Sequence, residues 1–239
     1  MLDVMRNITF NSEKSDLDGI LRDIKDGKLQ LPDFQRGWVW DDERIASILA
    51  SISLSYPIGA IMTLRTGGEV NFRPRRIEGT SPRIEYIKPE TLILDGQQRL
   101  TSLFQALYCN NPVKTLNSKG KEVNKWYYLD MQKCVDDDAS REEAVLSFPE
   151  DKVEKLFGGK HGKDVSSPDK EYEQSLFPAN KVYNSAEWRQ GYSKFWDYDS
   201  EKTKFFDNFE RNVVKRFEKY DVPVISLSKD TPKEAVCLI

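Results

Sequence analysis

The sequence predicts an α+β fold with mixed α/β element order. Three observations carry that reading: amphipathic helix patterns that stop at glycine or proline, short apolar runs of strand length between them, and varied spacing with neither repeat nor clean linker. With 239 residues, 38% hydrophobic and 31% charged, the chain has enough apolar surface for a sizeable core. A single domain over 1–239 is expected, with an inserted helical region between about 110 and 215.

Ser15-Asp16-Leu17-Asp18 has capping-box spacing, and Leu17, Ile20, Leu21 and Ile24 follow at helical intervals up to Gly27. The aromatic-rich segment 29–40 is broken by Pro32 and reads as extended or looped. Asp41 or Asp42 caps a second helix with an Ile45, Ile48, Leu49, Ile52 stripe, ended by Pro57. Residues 58–66 read as a strand closed by Gly67-Gly68, and 71–90 as a basic, Arg-Pro-rich connector. Thr91–Leu94 form a short strand running into Asp95-Gly96. A third helix begins at once, striped by Leu100, Leu103, Phe104 and Leu107 and broken at Asn110-Asn111-Pro112. A strand is expected at 126–131, an exposed polar excursion at 149–175, and aromatic-rich helices near 185–197 and 201–220. Residues 222–227 read as a buried strand. Thr231-Pro232 opens a last helix that stops without a terminating signal at Cys237-Leu238-Ile239, so the chain is expected to end inside its domain.

Several function classes are excluded. No apolar stretch reaches membrane-spanning length, and the first ten residues lack a signal-peptide layout, so a cytoplasmic protein is expected. Cys109, Cys134 and Cys237 are dispersed and odd in number, which argues against a disulfide framework or a zinc site. The single histidine, His161, rules out a multi-histidine metal site and sits in a polar loop as a bystander. The cluster from Gly158 to Asp164 has one residue too few between its outer glycine and Gly162-Lys163, and Asp164 stands where a P-loop needs Ser or Thr. A net charge of −3 gives no whole-molecule attraction to nucleic acid, so any DNA contact must be local.

The strongest chemical signal lies at residues 92–103, where an apolar strand delivers Asp95 and Gly96 onto a helix N-terminus. That arrangement suits phosphate: first-turn N–H groups point outward, and glycine lets an anion approach the backbone. Arg99 can add a bidentate contact, Gln97 and Gln98 offer donors and acceptors, and Asp95 can bind Mg²⁺ or act as a base. The same residues also suit a purely structural turn, with Asp95 as cap and Gly96 as bend. A second cluster, Leu31 to Trp40, mixes Gln35 and Arg36 with Phe34, Trp38 and Trp40. It can stack a base and clamp a phosphate, or its tryptophans can hold the loop while Arg36 pairs with an acid. Arg65, Arg73, Arg75, Arg76 and Arg83 form a local basic footprint diluted by Glu69, Glu78 and Glu85, which reads equally as a solvated loop.

Phe34-Gln35-Arg36 with Trp40, followed in order by Asp95-Gly96-Gln97-Gln98-Arg99, resembles the N-terminal domain of GmrSD-type restriction endonucleases. The resemblance covers mainly 15–108 and more weakly 222–239. It implies a ParB/sulfiredoxin-like core, a nucleoside triphosphate (GTP or another) as ligand, and bacterial defence against phage DNA carrying modified bases or a phosphorothioate backbone. By the same resemblance Asp95, Gln97, Gln98 and Arg99 take a hydrolytic role with Mg²⁺ at Asp95. Gln35 and Arg36 would join Gly96 and Arg99 at the nucleotide or sense modified DNA, and the basic footprint of Arg73, Arg75 and Arg76 would extend the DNA contact. Members continue past the strand at 222–227 into an Asn-Gly turn and carry a separate C-terminal HNH-type nuclease domain. That nuclease chemistry is excluded here by the lone histidine. A non-catalytic, modification-sensing DNA module is the competing expectation, and a component working through protein contacts alone is a third.

Overall fold

Leu17, Ile20, Leu21 and Ile24 form the buried face of α1 (Leu17–Lys25) in the computed structural model, as their spacing predicts. Residues 10–38, 40–136, 138–155 and 161–236 are described. Cys237, the Gly158–Lys160 part of the glycine-lysine cluster and the first nine residues lie outside that set, as does the His161 side chain. The helix is not capped by Ser15. That residue belongs to β1 (Phe10–Asp16) and pairs with Val222, and the Asp16 carboxylate instead accepts from the Gly19 N–H at 2.7 Å.

The chain divides into two units, the first made of residues 1–38, 59–101 and 221–239. Its strands are β1, β2 (Leu29–Pro32), β3 (Ile61–Arg65), β4 (Pro74–Arg75), β5 (Thr91–Asp95) and β12 (Asp221–Leu227). They form one mixed sheet in the order β1-β12-β3-β5-β2-β4. β12 runs parallel to β3 and β5 parallel to β2, while the remaining pairs are antiparallel. Leu64 and Leu227 pack with Val236 of the short α10 (Lys233–Val236), and Met62, Val70, Phe72 and Leu94 flank that cluster. The stretch 71–90 is more ordered than a connector. It contains β4 and a 3₁₀ turn at Pro82–Tyr86; the Ile84 carbonyl within that turn and the Ile87 carbonyl just after it accept from the buried Gln30 amide at 3.3 and 2.9 Å.

The second unit comprises residues 39–58 and 102–220. It holds α2 (Asp42–Ser53), capped by Asp41, and most of α3 (Gln97–Tyr108). β6 (Val113–Leu116) and β8 (Val145–Pro149) pair with β7 (Glu122–Asp130), as does β11 (Leu176–Pro178). Between these lie α4 (Met131–Val135), α5 (Arg141–Ala144), the β9–β10 ribbon (Val153–Lys155 and His161–Asp164) and α6 (Pro168–Glu173). The expected polar excursion therefore contains secondary structure. The aromatic-rich helices are α7 (Ser185–Phe195), then α8 (Ser200–Phe209) continuing through a π turn at Glu210–Val214 into α9 (Lys215–Glu218). Trp188, Tyr192, Phe206 and Phe209 of these helices pack into a buried aromatic core with Phe177. Burial pushes the thiols of Cys109 and Cys134 up to about 11 and about 12, so both are protonated at neutral pH. No helix among the described residues is long and apolar enough to cross a membrane.

Within this unit Asp42 ties α2 to the sheet. Its carboxylate accepts from Tyr127 Oη at 2.9 Å and Ser147 Oγ at 2.8 Å, with Lys125 Nζ at 3.6 Å. Asp42→Ala is expected to cost about 2–3 kcal/mol, because Tyr127 is buried and would lose a charge-assisted partner. Urea unfolding followed by tryptophan fluorescence checks it.

Candidate functional site

The first unit brings the two polar motifs together. β5 ends at Asp95, Gly96 turns the chain at φ +94°, and its carbonyl accepts the first bond of α3 from the Leu100 N–H at 2.9 Å. A side chain at Gly96 would strike Ile61 Cδ1 at 2.3 Å, so both backbone angle and space require glycine. From the start of α3, Gln97 Nε2 donates to the Arg36 carbonyl at 2.7 Å and Gln98 Nε2 to the Gly37 carbonyl at 3.2 Å. In the reverse direction, Gln35 Nε2 donates to the Ile93 and Leu94 carbonyls of β5 at 3.0 and 2.5 Å. Three glutamine amides thus fasten the loop after β2 onto the β5–α3 turn.

Arg99, one turn into the helix, pairs with Asp95 at 2.8 Å; the arginine side chain is only 18% exposed, whereas that of Asp95 is 62% exposed. The guanidinium lies against Gly59, where an added Cβ would fall 2.5 Å from an Arg99 terminal nitrogen. Gly59 itself has φ +88°. It interrupts the expected strand, which starts only at Ile61. No sequence motif marks Gly59; the sole hint is a glycine two residues after Pro57, between a helix and a strand.

A model of the family described as GmrSD restriction endonuclease, N-terminal domain, matches residues 17–239. The chain belongs to that family. The match includes both polar motifs and the last sheet strand. An uncharacterized protein of Methanocaldococcus jannaschii is 28% identical over 227 residues, which is 92% of this chain and 37% of the relative. The chain therefore spans little more than a third of the length of that curated relative.

In this GmrSD-type domain the arginines fall into two groups. Arg75 pairs with Glu78 at 2.8 Å and Arg76 with Glu85 at 2.9 Å. Arg36 and Arg73 are exposed and have no ion-pair partner among the described residues, so the acid expected for Arg36 is not found. Beside them Phe34, 56% exposed, meets Phe72 edge-on with ring centroids 4.8 Å apart. The loop is thus held by glutamine amides while Phe34 faces outward. No group of three or more metal-ligating side chains occurs among the described residues, and Asp95 is the carboxylate that the turn itself supplies. One carboxylate suits Mg²⁺, which takes few protein ligands and completes its shell with phosphate and water.

Gly59→Ala is expected to cost about 1–3 kcal/mol through the positive φ alone, and to push the Arg99 guanidinium off its seat. Thermal melting reads the first effect; a fall in the affinity of any Arg99-dependent anion reads the second.

Proposed function

We propose that this chain is the nucleoside triphosphate-binding and hydrolysing part of a restriction protein that defends against phage carrying modified DNA. The observation that supports it is the seating of Arg99 on Gly59 beside the Gly96 turn, which presets a guanidinium next to a helix start that a glycine leaves open. First-turn amides of α3 and Arg99 would bind the phosphates. Arg99 would gain most as negative charge grows on the transferring phosphoryl group. Mg²⁺ held by Asp95 would supply neutralisation of phosphate charge, and binding a metal or phosphate there would release Arg99 from its pairing with Asp95. Gln97, Gln98 and Gln35 act by positioning, since the amide nitrogens of the first two are engaged with loop carbonyls and that of Gln35 with carbonyls of β5. GTP and the other triphosphates are all candidates, and the cutting of DNA would fall to a separate HNH-type domain.

Phosphate release from each triphosphate with Mg²⁺, measured on the full-length protein, is expected to fall about a hundredfold in Arg99→Ala and in Asp95→Ala. Unchanged rates in both variants would sink the proposal.

A second role for the same face, sensing DNA, is favoured by the outward Phe34–Phe72 pair flanked by Arg36 and Arg73. Arg36→Ala is expected to weaken DNA binding and to flatten its log–log salt dependence by about 0.9, the change that accompanies one phosphate left without its cation. Arg76→Ala, whose guanidinium Glu85 already holds, should change the slope less. Equal slopes in wild type and Arg36→Ala would remove Arg36 from the interface.

A further inference from the structure

The second unit contains a cavity of about 340 Å³ that the phosphate site does not use, within the range of small-molecule pockets. Its lining combines three kinds of group. Gln105, 8% exposed, lines the cavity, and its Nε2 is buried with no hydrogen-bond partner among the described residues. Glu171, 6% exposed, is a buried carboxylate that accepts from Tyr128 Oη at 2.8 Å and Trp188 Nε1 at 3.0 Å. Lys152 Nζ lies 3.7 Å from Glu171, and 4.8 Å above the ring centroid of Trp126.

A buried carboxylate held by two donors and a lysine has a structural explanation on its own, as a charge that fixes the packing of α6 against β7 and α7. That explanation leaves the Gln105 amide unaccounted for, because an unmade hydrogen bond is a cost that folding ordinarily avoids. The amide and the carboxylate line the same space, as does an indole whose face a cation covers.

We propose that this cavity binds a nucleobase. The ring takes the place of the Lys152 ammonium on the face of Trp126. Gln105, whose Nε2 lies behind the cavity surface, turns outward to donate to a ring nitrogen, and Glu171 accepts from the adjacent exocyclic amine. Lys152, displaced from the indole, and Lys181, which lines the cavity and pairs only at 3.8 Å with Glu187, are then available to a phosphate. A carboxylate on the polar edge selects bases that carry an amine over thymine. The base comes either from a free nucleotide or from a strand out of which it has been turned. The proposal does not depend on a triphosphate at Arg99.

Calorimetric titration of the full-length protein with dAMP, dCMP, dGMP and dTMP, and separately with a short single-stranded oligonucleotide, tests it. The amine-bearing monophosphates are expected to bind about tenfold more tightly than dTMP, equivalent to one hydrogen bond. Gln105→Leu and Glu171→Gln each weaken binding about tenfold, Lys152→Met also weakens it, and Arg99→Ala leaves it unchanged. Binding of the oligonucleotide alone, with the same dependence on Gln105 and Glu171, assigns the base to a strand and equally supports the site. Absence of binding by both probes overturns the proposal. So does binding indifferent to all three cavity variants, or lost in Arg99→Ala. Because Lys152 is partly exposed, Lys152→Met remains informative if either core variant fails to fold.

Discussion

The hydrogen bonds from Gln97 and Gln98 to the carbonyls of Arg36 and Gly37, returned by Gln35 to β5, are the constraint on which the phosphate-binding reading rests. Backbone carbonyls in a short loop are obligatory acceptors, and here side-chain amides from the start of α3, some sixty residues on, satisfy two of them. Each such bond contributes about 0.5–1.5 kcal/mol, and together they fix the loop in one place relative to the turn at Gly96. Arg36 is thereby presented outward beside Arg73 and Phe34. Amides that sequence pattern alone offers as donors to a ligand instead fasten one motif to the other.

Arg99 shows a complementary economy. Its guanidinium needs a surface without a side chain to lie on and a carboxylate to balance it, and Gly59 and Asp95 provide these. A guanidinium already seated loses little rotamer freedom when an anion arrives. The ion pair with an exposed Asp95 is weak by itself, so it yields readily to a competing phosphate or metal.

Much of this fold was legible in the sequence. The stripes of α1, α2 and α3 are strongly periodic, and the turn at Asp95-Gly96 is marked by both a glycine and a strand-to-helix change of period. β1 was not legible, because its residues Phe10–Asp16 are nearly all exposed and lack alternation, and only pairing with β12 makes them a strand. The role of Gly59 depends on a side chain forty residues later in the chain. Gln105 sits in α3 like any polar helix residue, and Glu171 lies in a segment whose composition reads as solvated. Their burial comes from long-range packing of α6 and β7, which local pattern does not encode. The family resemblance reached the Gly96 turn and left the cavity of the second unit unmarked.

The placement of β12 has a consequence for how the protein is made. The strand between β1 and β3 is supplied by residues 221–227, so β1 has no partner until that segment has left the ribosome. Residues 39–58 and 102–220 can collapse as they emerge, whereas the sheet that presents Arg99 closes only once residues 221–227 follow them. A translation product interrupted before that segment would therefore carry an unpaired sheet edge, and would be a substrate for chaperones.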